Sequence, residues 1–162
     1  MLQLTHPANV RFPQRRNSPR TQIEQGGRFG PVLIVSAILY PTVLVAEDSM
    51  DTRIMLKRAF ELKGYHVFEA EDGQQALDMA RRHRPSLLIV DLNMPVLDGL
   101  ETIKNFRKLE GEGDHTPIVA ITAYDVYGME EAAKENGTNV YLTKPLDLEE
   151  LDRALKGLGF IV

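Results

Sequence analysis

The chain holds no cysteine and no tryptophan among its 162 residues. The first absence excludes a disulfide scaffold, an iron–sulfur cluster, thiolate-bound zinc and a cysteine nucleophile. The four histidines, His6, His66, His83 and His115, show no metal-ligand spacing. There is no run of about 18 apolar residues, so no transmembrane helix is expected. The remaining composition is ordinary, 43% hydrophobic and 26% charged, which is enough to bury one sizeable core.

Charge of one sign is scarce at the N-terminal end. Residues 1–40 carry Arg11, Arg15, Arg16, Arg20 and Arg28 against Glu24 alone, a net of +4 that leaves −8 on the rest of the chain. An acidic body meets a phosphate backbone with like charge, so direct nucleic-acid binding is not expected of it. Residues 1–30 are broken by Pro7, Pro13, Pro19 and Gly26–Gly27 and keep no apolar period. They read as a disordered basic arm, with contact to an anionic partner as its functional alternative. The run VLIVSAILY (32–40) follows and is too short to span a bilayer. As the core of a signal peptide it has too long a polar lead and no A-x-A site, and cleavage nearby would damage the strand beginning at Thr42. An extra edge strand or a loosely packed segment is expected instead; a natural start further downstream stays open. The expected division is an arm over 1–40 and one folded domain over 41–162.

The body alternates two periods. TVLVAED (42–48), YHVFEA (65–70), SLLIVDL (86–92), PIVAITA (117–123) and NVYLTKP (139–145) read as strands. Between them lie helices over Asp51–Lys63, Gly73–Arg82, Asp98–Lys108 and Met129–Asn136. The first places Met55, Leu56, Ala59 and Phe60 on one face and is followed by Gly64; the second stops at Pro85. Asp147 is placed to cap a last helix carrying Leu148, Leu151, Leu155 and Leu158. Strands joined by crossover helices are parallel. The predicted fold is α/β: a doubly wound, five-stranded parallel sheet with helices on both faces.

In such sheets ligands bind beyond the carboxyl ends of the strands. The first strand ends in Glu47–Asp48, the third in Asp91, the fourth in Thr122–Ala123 and the fifth in Lys144–Pro145. Each has an ordinary reading by itself: acids favour a helix N-terminus, an Asp before N-M-P-x-x-D-G suits a turn, Thr is at home in strands, and Lys is usually solvated. Their joint occurrence at strand ends points to a site. If the first and third strands are neighbours, three carboxylates crowd together, and either one is protonated or a cation sits among them. A hard divalent ion fits oxygen donors, Mg²⁺ in particular because it keeps its waters; the backbone carbonyl of Asn93 would complete the set. Asp91 is then a candidate nucleophile toward a phosphoryl donor, since a carboxylate is ionised at neutral pH. Lys144 and Thr122 would meet phosphoryl oxygens.

Residues 42–160 resemble the receiver domain of bacterial response regulators, of the single-domain chemotaxis-regulator kind. VLVAED, EAEDG (69–73), IVDLNMPVLDG (89–99), PIVAITA and YLTKP carry the resemblance. It implies a flavodoxin-like strand order 2-1-3-4-5. It implies Asp91 as phosphoacceptor, Asp48 as a direct Mg²⁺ ligand, Glu47 acting through water and Asn93 through its main-chain carbonyl. Thr122 and Tyr141 would form a switch pair, Lys144 would bridge the phosphoryl group, the Lys144–Pro145 bond would be cis, and Gly99 would allow the tight loop after Met94–Pro95. Tyr124, two residues after Thr122, stands at a position that tunes dephosphorylation in the family.

The implied function is a cytoplasmic phosphorelay switch, not an enzyme beyond its own phosphorylation and dephosphorylation. A sensor histidine kinase or a phosphotransfer protein would supply the phosphoryl group, and a downstream protein would read residues 128–158. With no output domain expected after Val162, DNA binding would come from a partner. A receiver-like interaction module that takes no phosphate is the alternative. A flavin carrier needs a hydroxyl- and glycine-rich phosphate loop where EDSMD stands, and an aspartyl phosphatase would place its nucleophile on the first strand.

Overall fold

A computed structural model describes residues 41–111, 115–124 and 126–160. The expected arm over 1–40 lies outside the described residues. Strands and helices alternate as β1 (Thr42–Ala46), α1 (Met50–Glu61), β2 (His66–Ala70), α2 (Gly73–His83), β3 (Leu87–Asp91), α3 (Gly99–Glu110), β4 (Ile118–Thr122), α4 (Met129–Glu135), β5 (Val140–Thr143) and α5 (Leu148–Gly157). All four strand pairings are parallel and the order is β2-β1-β3-β4-β5, as the resemblance implies.

The inner strands β1, β3 and β4 are apolar at every position but one end residue because both their faces are covered; the edge strand β2 carries an exposed His66 and a half-buried Glu69. Alternation sorts the side chains. Leu44, Leu88, Val90, Ile118 and Ala120 face a layer that includes Ala76, Leu77 and Ala80 of α2, Ile103 and Phe106 of α3, and Ala133 of α4. Val43, Val45, Leu87, Ile89, Val119 and Ile121 face the other way, onto Leu56 and Phe60 of α1 and Leu151 and Leu155 of α5. Tyr65 closes this second layer, stacked on Phe160 with ring centres 5.2 Å apart.

Several strand boundaries fall short of the apolar runs. Glu47 and Asp48 lie past the last β1–β3 pair, Ala46 with Val90. Lys144 and Pro145 likewise lie past β5, joined by the expected cis bond. Glu47, Asp48 and Lys144 therefore stand in loops past the ladder, whereas Asp91 and Thr122 hold the last paired positions of β3 and β4. Asp147 caps α5 as expected, accepting from the Glu149 amide at 2.8 Å. Asp72 and Asp98 cap α2 and α3 in the same way, each at 2.8 Å. Met55 and Ala59 are only half-buried, because Arg53, not Met55, joins Leu56 and Phe60 on the buried stripe of α1. α2 ends just before Pro85, as expected, since a proline disfavours the helical conformation at the residue before it. That residue, Arg84, takes a left-handed conformation, φ 45°.

Gly99 does allow the turn into α3, but through space and not through backbone freedom. A Cβ there would lie 2.3 Å from the Asp91 carbonyl oxygen and 2.5 Å from Leu92 Cα. Its amide donates to the Leu92 carbonyl at 3.1 Å. The left-handed residue of this loop is Val96, φ 68°, an unusual conformation for a β-branched side chain. Because backbone is what the new methyl would strike, Gly99→Ala is expected to cost about 1–3 kcal/mol. The measurement is a urea unfolding midpoint, and an unchanged midpoint would show that the β3–α3 loop yields freely.

Candidate functional site

The carboxyl edge of β1, β3 and β4 brings the predicted residues together. One carboxylate oxygen from each of Glu47, Asp48 and Asp91 can be chosen so that all lie within 4.8 Å of one another. Adjacency of β1 and β3 makes this possible, since Ala46 is registered on Val90, one residue before Asp91. Glu47 and Asp91 are buried, at 1% and 2% exposure, and Asp48 is exposed at the rim.

Lys144 reaches into the cluster from beyond β5. Its Nζ donates to Glu47 Oε1 at 2.8 Å and to Asp91 Oδ2 at 2.6 Å. Asp91 Oδ1 accepts from the Asn93 amide at 2.8 Å, and Glu47 Oε1 accepts from the Ser49 amide at 3.2 Å. Glu47 Oε2 is buried with no hydrogen-bond partner. Burial pushes the Glu47 carboxyl above its ordinary range; the hydrogen bond from Lys144 opposes that shift and the neighbouring Asp91 charge adds to it. Burial would lower the Lys144 ammonium, but its bonds and attraction to Asp91 and Glu47 outweigh it and hold the group above its ordinary value.

Thr122 ends β4 with its side chain fully buried. Its Oγ1 lies 2.9 Å from Asn93 Oδ1 and 3.2 Å from the Tyr124 carbonyl as a donor, and it accepts from the Tyr124 amide at 3.1 Å. Tyr141 sits on β5 opposite Ala120, two residues before the partner of Thr122. It shares the sheet face of Thr122 and packs half-buried against the α2–α3–α4 layer. Tyr124 is exposed at the mouth.

Two features escape a motif reading. Asn93 contributes its side chain, tying β3 to Thr122, as well as its main chain. Arg53 is buried, with Nη1 donating to the Glu47 carbonyl at 2.7 Å and Nη2 to Glu71 Oε1 at 2.9 Å. Its signal was present in the sequence: position 53 precedes Leu56 and Phe60 by three and seven residues, which puts a cation on an apolar helix face.

The donor set is suited to a hard divalent cation. It is made of oxygens only, it clusters negative charge, and one buried carboxylate oxygen has no protein partner. A family model for the response regulator receiver domain matches residues 43–156. The chain belongs to this family. Among curated response regulators, MprA of Mycobacterium tuberculosis is 41% identical over 116 residues, covering 72% of this chain and 49% of its own length. The chain thus spans about half the length of that relative. Sporulation initiation phosphotransferase F of Bacillus subtilis is 32% identical, over 70% of this chain and 90% of its own. Among solved structures, the chemotaxis protein CheY4 of Vibrio cholerae superposes with a TM-score of 0.67 at 32% identity, over 73% of this chain and 98% of the other.

In this receiver domain Lys144 is the counter-charge of the acidic cluster, and it would compete with any cation that entered it. Lys144→Ala is therefore expected to destabilise the metal-free protein by about 3 kcal/mol, the cost of stranding buried charge. Mg²⁺ should restore more stability to this variant than it adds to wild type. Melting temperatures with and without Mg²⁺ test this, and an equal Mg²⁺-induced rise in both proteins would refute the competition.

Proposed function

We propose that the protein is a phosphorylation-controlled switch of a two-component or phosphorelay system, with Asp91 as the phosphoacceptor. The observation that carries this is the Asp91 carboxylate, buried within the acidic trio and held between the Asn93 amide and the Lys144 ammonium. In this reading Asp48, Asp91 and the Asn93 main-chain carbonyl hold Mg²⁺, with Glu47 acting through water. When bound, the ion supplies charge neutralisation and orientation for phosphoryl oxygens.

The chain's own residues supply the rest. An Asp91 carboxylate oxygen attacks the phosphorus of a phosphohistidine on a sensor kinase or phosphotransfer protein. The O–P bond forms as the P–N bond breaks, and its electron pair leaves with the imidazole. The product is an acyl phosphate on Asp91; water later attacks phosphorus and returns the carboxylate and inorganic phosphate. No general base is needed for the first step, because the nucleophile is already ionised. Lys144 turns its ammonium from Glu47 and Asp91 to a phosphoryl oxygen. Thr122 exchanges its bond to Asn93 or Tyr124 for one to another oxygen, and Tyr141 turns inward on the same sheet face. These exchanges shift an equilibrium between two arrangements that differ by a few kcal/mol.

The proposed readout is the surface over residues 128–158, recognised by a downstream protein. No helix among the described residues is long and apolar enough to cross a membrane, and we place the switch in the cytoplasm with its kinase. The arm over 1–40 is proposed as an appendage to this domain, with no part in the phosphorylation chemistry.

Incubation with Mg²⁺ and a small phosphodonor such as acetyl phosphate is expected to add one phosphoryl group, stable to acid and labile to base. Asp91→Ala should not be labelled. Label on that variant would overturn the nucleophile assignment, and wild type that takes no label would favour the non-phosphorylated interaction module.

A further inference from the structure

We infer that Arg53 is a positioning residue for the divalent-cation site, holding the main chain at the end of β1 so that Glu47 and Asp48 face Asp91. The inference rests on reading the acidic trio as a cation site. It adds a component that touches neither the cation nor the phosphoacceptor.

The backbone needs such a component. The sheet ladder fixes β1 only as far as Ala46; the last tie is the Glu47 amide, which donates to the Ala70 carbonyl at 3.0 Å. Beyond it the chain turns toward Ser49, which caps α1. The Glu47 carbonyl is buried there, and a buried carbonyl requires a donor. Arg53 provides it: Nη1 lies 2.7 Å from the Glu47 oxygen and 3.3 Å from the Asp48 oxygen. Both residues whose side chains enter the trio are thus held through their main chain by one nitrogen.

Arg53 is itself fixed. Nη2 donates to Glu71 Oε1 at 2.9 Å, and Nε lies 3.6 Å from Glu69 Oε1. Its side chain is 9% exposed. Glu69 also pairs with Lys57, one helical turn further along α1. The guanidinium therefore bridges the β1–α1 and β2–α2 loops, and its planar fork can serve carbonyl and carboxylate together where an ammonium acts as a single point charge.

The placement of charge separates Arg53 from Lys144. Lys144 bonds to the trio's carboxylates directly, so a cation entering the site has to contend with it. The bonds of Arg53 go to carbonyls and to Glu71, outside the trio. Its charge is offset by Glu69 and Glu71 and it occupies no carboxylate oxygen of the trio, so what its loss removes is the tie on the Glu47 and Asp48 main chain. Loss of Arg53 is thus expected to weaken cation binding, whereas loss of Lys144 is expected to strengthen it.

Isothermal titration of Mg²⁺ into the full chain, well below the melting temperature, tests the assignment. Arg53→Ala is expected to bind about tenfold more weakly than wild type, with partial recovery in Arg53→Lys. Arg107→Ala is the control. That half-buried arginine bonds the Gly137 and Thr116 carbonyls at the opposite edge of the sheet, so its loss should lower the melting temperature and leave Mg²⁺ affinity unchanged. A threefold or greater loss in Arg53→Ala, absent in Arg107→Ala, supports the role. A loss below threefold, or an equal loss in both, overturns it. If Arg53→Ala does not fold, the same threefold criterion applied to Arg53→Lys decides. Wild type that takes up no Mg²⁺ would instead overturn the cation-site reading underneath.

Discussion

Like charge forced into a small, partly dry space is the constraint on which this molecule turns. Three carboxylate oxygens within 4.8 Å repel one another by about 4 kcal/mol per pair at an effective dielectric typical of a protein surface. Two of the three groups are buried, which raises the cost. The fold keeps them together by importing cations from elsewhere in the sequence. Lys144 comes from beyond β5, 53 residues past Asp91 and 97 past Glu47. Strand order makes this possible: β4 alone separates β3 from β5, and a lysine is long enough to reach over its end.

A cluster balanced in this way has its donors committed. The Lys144 ammonium is engaged with Glu47 and Asp91, and the Thr122 hydroxyl with Asn93 and Tyr124. A dianionic phosphoryl group arriving on Asp91 would give Thr122 a charged acceptor in place of neutral ones, and charge-assisted bonds are about twice as strong; to Lys144, already bonded to carboxylates, it would bring a larger negative charge. The arrangement on which the proposed switch depends is therefore one in which existing bonds can be exchanged for better ones. No new donor has to be recruited from solvent.

Much of this was legible in the sequence because parallel sheets write themselves plainly. A strand covered on both faces must be apolar throughout, so a polar residue at its end stands out, as Asp91 does after LLIV and Thr122 after IVAI. Strand order was not legible from pattern. It came with the family resemblance, because hydrophobic period says which face a residue takes but not which strand lies beside it. Arg53 was missed for a related reason. Its function depends on a carbonyl six residues earlier and a carboxylate eighteen residues later, and neither carries a side-chain motif. Arg84 was missed because a left-handed helix end normally announces itself with glycine, and here an arginine takes that conformation.

The route from the site to the proposed readout surface follows from how unequally α4 is held. Its far end is secured: Arg107 of α3 donates twice to the Gly137 carbonyl, at 3.1 and 2.6 Å, and once to Asn139 Oδ1. Its near end is not, since Gly128 precedes it in a left-handed conformation, φ 84°, and offers no side-chain cap. The helix has seven residues, and Ala133 is its one fully packed side chain. A helix so short draws little stability from its own hydrogen bonds and depends on what it packs against. Thr122 engages both the amide and the carbonyl of Tyr124, four residues before that uncapped start. If the hydroxyl leaves these partners for a phosphoryl oxygen, the first backbone released is the segment leading into the loosely held end of α4, while the Arg107 anchor keeps the other end in place. The displacement would then be a pivot and not a translation, and it would fall on the face over 128–158 because α4 begins there.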